Sequence, residues 1–333
     1  RTAGVYVVAV DVPSGVDVDG GGVPEPNVVA DLTVTFGTYK PALLAPPAAR
    51  SAGWVHLVDI GLEPYLDEPV LEAFDQPDVG AAYPVPSGKA HKYARGVVGV
   101  DAGSDVYAGA AELCVLGAQG GPSGMVRFGG AEAIVGEVVG RHPEVVAGRG
   151  RVQAWVVGPG TADRAESALR DAVVDGVPLV VDADSLAYWR PGMADNVLLT
   201  PHAGELARML DVERADVEAQ PLAYVRKAAE RLEATVLLKG SHTLIAERGR
   251  PARVVSAATP WLATAGAGDV LAGIAGALLA AGLRPLDAGS VAAWLHGTAA
   301  RLAASDVAPI TASDVAAAIP EATALACGRV DTE

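Results

Sequence analysis

The chain is short of cysteine, of basic side chains and of long apolar runs, and each shortage removes a class of protein. Cys114 and Cys327 are the only cysteines in 333 residues. They are far apart and lack a metal-type spacing, so the pattern is neither a disulfide scaffold nor a zinc module and suits a reducing compartment. Lys and Arg total 25 against 40 Asp and Glu, a formal charge of −15. Such a surface repels nucleic acid and anionic lipid, so neither is an expected partner, and any phosphate must be held at a local site. The longest uncharged apolar run, residues 270–283, is shorter than the ~20 residues that cross a bilayer. The start carries no signal-peptide pattern: residues 5–10 form a short apolar run leading into Asp11-Val-Pro-Ser-Gly, as a buried strand does. A soluble cytoplasmic protein is the default expectation. No Met precedes Arg1, and the chain enters a strand almost at once, so an upstream part is expected outside this sequence. There is no Cys/His cluster, no HExxH and no GxSxG, which argues against zinc enzymes and hydrolases. Solenoid repeats and low-complexity tracts are also lacking.

What is present is a rhythm of strand, loop and helix. Half of the residues are hydrophobic, with 39 Gly and 23 Pro, and the small residues gather in short turns, as in an α/β enzyme. Strands are expected at residues 5–10, 30–36 and 53–60. Residues 63–86 are acidic and Pro-rich without a period, and read as a linker and domain boundary. Further strands are expected at 96–100, 125–128, 151–158, 178–181, 196–199 and 235–238, with helices after Asp101 through about Ala118, over 162–174, and after residue 205. This order predicts a mostly parallel sheet with helices on both faces. The domains are expected at 1–70 and 86–330, joined by a linker at 71–85.

In a parallel sheet the strand C-termini share one edge, where ligands bind. Four loops there carry unusual chemistry: 158–160, 182–184, 200–205 and 239–243. A fifth, Ala265-Gly266-Ala267-Gly268, runs into Asp269. Val270, Leu271, Ile274, Leu278 and Leu279 follow near helical spacing. A small-residue turn entering a helix is a ready anion site, and a carboxylate at its lip suits proton removal from an attacking hydroxyl. The same stretch reads equally well as an N-cap Asp before a core helix. Lys239, followed by Gly240, is either a phosphate-binding point charge or a surface Lys in a hairpin. His202 sits between Pro201 and a helix start, and most lone histidines are structural. Gly158-Pro-Gly160 lacks the third glycine of a dinucleotide fingerprint. The 103–109 loop lacks the Lys and spacing of a Walker A loop. Asp182 and Asp184 either orient a metal-nucleotide or cap the next helix. Asp11 and Ser14, at the end of the first strand, are site candidates whose plainer reading is a capped turn.

Taken in order, these motifs resemble one family. Gly103-Ser-Asp-Val-Tyr-Ala-Gly-Ala, Val156-Val-Gly-Pro-Gly, Val181-Asp-Ala-Asp-Ser-Leu, Leu199-Thr-Pro-His-Ala-Gly-Glu, Leu238-Lys-Gly-Ser-His-Thr, Ala265-Gly-Ala-Gly-Asp-Val-Leu-Ala-Gly and Leu295-His-Gly are similar to the ADP/ATP-dependent NAD(P)H-hydrate dehydratases of the ribokinase-like superfamily. Val10-Asp-Val-Pro-Ser-Gly-Val-Asp and Ala30-Asp-Leu-Thr-Val-Thr-Phe-Gly resemble the C-terminal part of a Rossmann-like NAD(P)H-hydrate epimerase domain. The two are fused in this order in bacterial bifunctional enzymes. The resemblance implies a three-layer α/β/α dehydratase, a lyase, preceded by an epimerase remnant. Asp269 would be the general base and 265–268 (Ala265, Gly266, Ala267, Gly268) the phosphate anion hole. Lys239, Gly240, Ser241, His242, Thr243 and Gly268 would bind ADP or AMP. Ala110, Gly160, His202 and Asp269 would contact the hydrate, NADHX or NADPHX. In the remnant, Asp11 would contact the hydrate and Ser14 would help hold K+. ADP or ATP with Mg2+ would be the phosphoryl donor, and a homo-oligomer the assembly.

Three departures stand out. Ala102-Gly103-Ser104 replaces Gly-Gly-Ser. Trp261 stands where a small residue is usual, and is expected to narrow the nucleotide site. The Asn-Asn-Gly-Gly-Asp-Gly-type epimerase loop does not occur in this sequence, and a sheet without its other half is expected to expose an edge and an apolar face. Competing readings are a ribokinase-like kinase of a vitamin-precursor alcohol, disfavoured by 200–205 and the N-terminal piece, and a non-catalytic nucleotide-binding module, disfavoured by the joint presence of Asp269, Lys239 and His202. This chain is expected not to interconvert the R and S hydrates. A measurable epimerisation rate with purified protein would overturn that.

Overall fold

The computed structural model describes residues 4–24, 26–305 and 307–328; the ends of the expected domains at 1–3 and 329–330 lie outside them. A small unit comes first. Strands β1 (Val8–Val10), β2 (Leu32–Phe36) and β3 (Trp54–Val58) form a parallel sheet in the order β1-β2-β3. Thr33 and Thr35 are buried in β2, and the Thr33 hydroxyl donates to the Ala52 carbonyl at 2.6 Å, which satisfies a polar group that would otherwise be costly inside. Helix α1 (Pro41–Leu44) and a 3₁₀ turn (Ala48–Ser51) close the unit. Val8, Val10 and Trp54 are exposed, in line with the expected open edge and face.

The segment expected as a linker is not one. Residues 71–85 hold strand β4 (Leu71–Ala73) and helix α2 (Gln76–Ala82). Asp75 caps α2 in a capping box with Asp78, a local signal legible in the sequence. β4 joins the edge of the main sheet beside a strand about 180 residues further on, a pairing that no local pattern announces.

The main sheet continues with β5 (Val97–Asp101), β6 (Met125–Phe128), β7 (Val146–Ala147), β8 (Ala154–Val157), β9 (Leu179–Val181), β10 (Val197–Leu199), β11 (Thr235–Leu238), β12 (Thr243–Ala246) and β13 (Ala252–Val255). Its ten strands run in the order β4-β13-β12-β11-β10-β9-β8-β5-β6-β7, and β12 runs antiparallel to both neighbours. Both faces are covered, so the strands are continuous apolar runs rather than alternating ones. Val98, Val156, Val180, Leu198 and Leu237 point to one core, while Trp155, Val157, Val181, Leu199 and Leu238 point to the other. The first core lies under α3 (Ala108–Gly120), α9 (Ala267–Ala280), α10 (Pro285–Ala304) and α11 (Ala312–Ala326). The second lies under α5 (Ala165–Val174), α6 (Ala203–Leu210), α7 (Arg214–Ala219) and α8 (Pro221–Leu232), while α4 (Glu132–Arg141) flanks β7. This is the three-layer α/β/α architecture expected.

Helix α9 runs through the middle of the first core. Gly273 and Gly276 each cost about 1 kcal/mol of helix propensity relative to Ala. They are used for close approach: a methyl at Gly273 would sit 2.1 Å from the Cys114 carbonyl oxygen, and one at Gly276 2.1 Å from Val156 Cγ2. On α3, a methyl at Gly117 would sit 2.2 Å from the Val270 carbonyl oxygen. The contact therefore brings backbone against backbone, and it fixes where α9 begins. Gly273→Val is expected to destabilise the protein by at least about 1–3 kcal/mol through overpacking, read as a lower denaturant midpoint with an unchanged slope.

Candidate active site

The turn before α9 is built on Gly266, the N-cap, at φ +84°. That left-handed conformation favours glycine, and a side chain there would also strike Leu113 of α3, whose Cδ1 lies 2.2 Å from a methyl at this position. Ala267, Gly268 and Asp269 follow as the first three helical residues. Asp269 is thus inside the first turn, not the N-cap, which decides against the plain capping reading. Two of the N–H groups here are already used, Ala267 donating to the Thr264 carbonyl at 3.4 Å and Asp269 to the Gly266 carbonyl at 3.1 Å, so it is at Gly268 that the start of the helix and its dipole favour an anion. Gly268 keeps the approach open: the nearest groups to a methyl there are Lys239 Nζ at 3.4 Å and Asp182 Oδ2 at 4.0 Å.

Lys239, at the end of β11, does sit in a hairpin turn, yet it is no surface lysine. Its ammonium donates to Asp182 Oδ1 at 2.7 Å and lies 3.9 Å from Glu205 Oε2. Asp182, at the end of β9, is 1% exposed. It makes no cap hydrogen bond to the turn that follows; its partner is Lys239. Asp184 Oδ2 instead accepts from the Ala162 N–H at 2.9 Å. The loops interlock through the backbone as well: Lys239 N–H donates to the Pro201 carbonyl at 2.9 Å and Gly103 N–H to the Pro159 carbonyl at 2.7 Å.

These charges tune Asp269. Burial pushes its carboxyl up, the neighbouring Asp182 carboxylate pushes the same way, Lys239 opposes, and Asp184 adds a smaller push; the pKa rises to about 7. A carboxyl balanced near neutrality can accept a proton and also return it. Lys239 stays a firm cation, because the attraction of Asp182 and Glu205 outweighs its burial. His296 of α10 is held neutral with a pKa of about 4, first by burial.

Beside this cluster opens a cavity of about 710 Å³, large enough for a nucleotide. Lys239, Gly240, Ser241, Thr243, Thr264, Ala267 and Gly268 form its polar end. Val255, Ala257, Pro260, Leu262, Leu271 and Ala293 form an apolar wall. Ala265, Gly266 and His242 are not among its lining residues. Trp261 is 42% exposed and lies outside the lining, so it does not narrow the site as expected; its neighbours Pro260 and Leu262 supply the wall.

The remaining predicted residues fall into two places. Ala110 and Gly160 meet: a methyl at Gly160 would lie 2.7 Å from Ala110 Cβ. His202 is instead on the rim of the nucleotide-sized cavity. It caps α6, its Nδ1 accepting from the Glu205 N–H at 3.1 Å while Glu205 Oε2 accepts from the His202 N–H at 2.7 Å. Asp11, far away in the small unit, is paired with Lys40 at 2.5 Å, and that partner's hydrogen bond holds its carboxyl below the usual range. Ser14 is exposed. Glu205 and His296 received no role from the sequence, and Asp182 only an open one. Glu205 was visible as the third residue of a capping box, whereas His296 was marked only as part of the Leu295-His-Gly motif, without a role.

Among the described residues no group of three or more His, Cys, Asp or Glu is arranged to hold a metal ion. The Asp269 carboxyl is expected to titrate near pH 7, and Asp182→Asn to move it down, because a like charge is lost and Lys239 is freed. Carboxyl ¹³C shifts followed from pH 4 to 9 check this; an Asp269 midpoint near that of an ordinary Asp would contradict it.

Relatives agree with this geometry. Residues 98–321 match the NAD(P)H-hydrate dehydratase family, and residues 1–42 match the YjeF-related protein N-terminus. A bifunctional NAD(P)H-hydrate repair enzyme from Mycobacterium leprae is 44% identical over 317 residues, covering 91% of this chain and 65% of the relative. One from Mycobacterium tuberculosis is 45% identical over 296 residues, covering 85% and 60%. The chain thus spans somewhat under two thirds of the length of these relatives. The ADP/ATP-dependent NAD(P)H-hydrate dehydratase from Bacillus subtilis, co-crystallised with ATP/Mg2+, superposes with a TM-score of 0.71 at 27% identity, covering 77% of this chain and 98% of that one. No helix among the described residues is long and apolar enough to cross a membrane. With His202, the 239–243 turn and the start of α9 lining one nucleotide-sized cavity, and a family match over residues 98–321, the chain belongs to the NAD(P)H-hydrate dehydratase family.

Proposed function

We propose that the chain dehydrates the (S)-hydrate of NADH or NADPH in an ADP- or ATP-dependent reaction, restoring NAD(P)H and, with ADP, releasing AMP and phosphate. The observation that carries this reading is Asp269: a half-buried carboxyl poised at about pH 7 in the first turn of a helix whose Ala267 and Gly268 line a nucleotide-sized cavity. Asp269 takes the proton of the hydrate C6 hydroxyl as that oxygen attacks the terminal phosphoryl group. The bond from that phosphorus to the bridging oxygen breaks and the shorter nucleotide leaves. The C6 phosphate ester then eliminates phosphate, with loss of a ring proton, and the double bond of the dihydronicotinamide returns. The turn 265–268 offers N–H groups to the charge that develops on the transferring phosphoryl. Lys239, held by Asp182, supplies a fixed cation beside it.

Ala110, in the first turn of α3, and Gly160, in the loop packed against it, are assigned to the hydrate, and the 239–243 turn to the nucleotide. His202 borders the nucleotide cavity and would contact whichever ligand reaches that rim. Mg2+ fits as part of the incoming nucleotide complex, where it neutralises phosphate charge, since the described residues offer no ready cluster of their own. For K+ at Ser14 the fit is poor: the nearby Asp11 carboxylate is engaged by Lys40, and no step is drawn through potassium.

The test is incubation with NADHX plus ADP or ATP, following recovery of the reduced-nicotinamide absorbance and release of phosphate. Asp269→Asn is expected to lower kcat about 10²–10⁴-fold, the usual contribution of a positioned base, while nucleotide still binds. Full turnover by that variant, or no nucleotide-dependent recovery by the parent chain, would sink the proposal.

A further inference from the structure

The small N-terminal unit reaches the nucleotide loop. Its turn from α1 to the 3₁₀ segment packs on the dehydratase unit: Ala45 is fully buried in the apolar cluster that contains Val217 of α7 and Leu222 of α8. Gly22 lies against the end of α7, a methyl there falling 3.9 Å from the Ala219 carbonyl oxygen. At the far end of the turn, Arg50 Nη2 donates to Ser241 Oγ at 3.1 Å. Ser241 lines the 710 Å³ cavity, whereas Arg50 does not. The guanidinium also acts on the next residue. His242 is held below the ordinary histidine range, first by burial and then by the charge of Arg50, so no second cation competes for the serine.

The chemistry of this contact is directional. A hydroxyl has one proton and two lone pairs. With a lone pair taken by Arg50, the Ser241 proton is directed to acceptors: His242 Nδ1 lies 3.5 Å away, and a phosphate oxygen would compete for the same proton. The turn is anchored at Lys239, but Gly240 and Ser241 are exposed, and an exposed side chain has rotamer freedom to lose. Arg50, 191 residues away in sequence, removes that freedom before the ligand arrives, so less ordering is left for binding to accomplish.

We propose that Arg50 is a positioning residue of the nucleotide site, through which the N-terminal unit orders Ser241 and the Lys239–Thr243 turn for a nucleoside diphosphate. This rests on the assignment of that turn to the nucleotide. The test is calorimetric ADP binding to the full chain, without hydrate, for Arg50→Ala, Arg50→Lys, Ser241→Ala and the double variant Arg50→Ala/Ser241→Ala, with thermal unfolding as a check of the fold. Arg50→Ala is expected to weaken ADP binding about 3- to 10-fold, the range of one hydrogen bond. Arg50→Lys is expected to recover part of the loss, and the double variant to bind no worse than Ser241→Ala, because both act through one contact. In turnover, KM for ADP should rise while kcat changes by less than about twofold. Wild-type affinity in Arg50→Ala, or additive losses in the double variant, would overturn the proposal. Because binding is read without turnover, a chain that binds ADP through Arg50 yet leaves NADHX untouched would refute the proposed function and not this contact.

Discussion

The site depends on one buried ion pair. Lys239 and Asp182 meet at 2.7 Å at the ends of two strands, with Asp182 almost wholly out of solvent. A buried carboxylate without a partner is strongly unfavourable, and removing one member of such a pair typically costs about 3–5 kcal/mol. The pair therefore locks the β9 and β11 loops to each other. It also fixes the field felt by Asp269: a nearby anion and a low-dielectric surrounding together move that carboxyl to about pH 7. The same contact that stabilises the loops thus places both charges that act on Asp269, Asp182 raising its pKa and Lys239 opposing.

The second constraint is steric. Asp269 can face that pair because α9 starts where it does, and α9 starts there because glycines let it lie against α3 and β8. Gly266 then turns the chain in a conformation closed to larger residues. The cost in helix propensity is accepted where backbone contact places the first turn, with Ala267 and Gly268, against the cavity. Core packing and the lining of the cavity are two consequences of one helix position.

The N-terminal unit adds a third level. Its sheet leaves Val10 and Trp54 exposed, but its α1 turn is buried in the dehydratase core through Ala45. It is therefore a packed part of the molecule rather than an appendage on a flexible tether, and residues 71–85 hold a strand of the main sheet and a helix packed on α10 and α11. Arg50 is a side chain that crosses from this unit to the 239–243 turn.

Much was legible in the chain itself. The segments 125–128 and 235–238 gave strands to the residue, the second because a strand covered on both faces needs nearly continuous apolar sequence such as Val236-Leu237-Leu238, the first from an alternating Met-Val-Arg-Phe. The small-residue turn before Asp269, and the loops at 158–160, 182–184, 200–205 and 239–243, were readable as strand ends, and parallel topology sends such ends to one edge. The short edge strand β4 was not legible: it takes its partner β13 from distant sequence, and such a pairing carries no local signature, while β12 and β13 form a local antiparallel meander after β11 that the strand-and-helix rhythm did not announce. Nor were the partners of the polar residues. Whether Asp182 caps a turn or holds Lys239, whether Asp269 is a cap or a base near neutrality, and whether His296 lines a cavity depend on burial and on charges a few ångströms away. The residue types and their order determined the family of loops; only the tertiary structure, by bringing those charges together out of water, decided what each of them does.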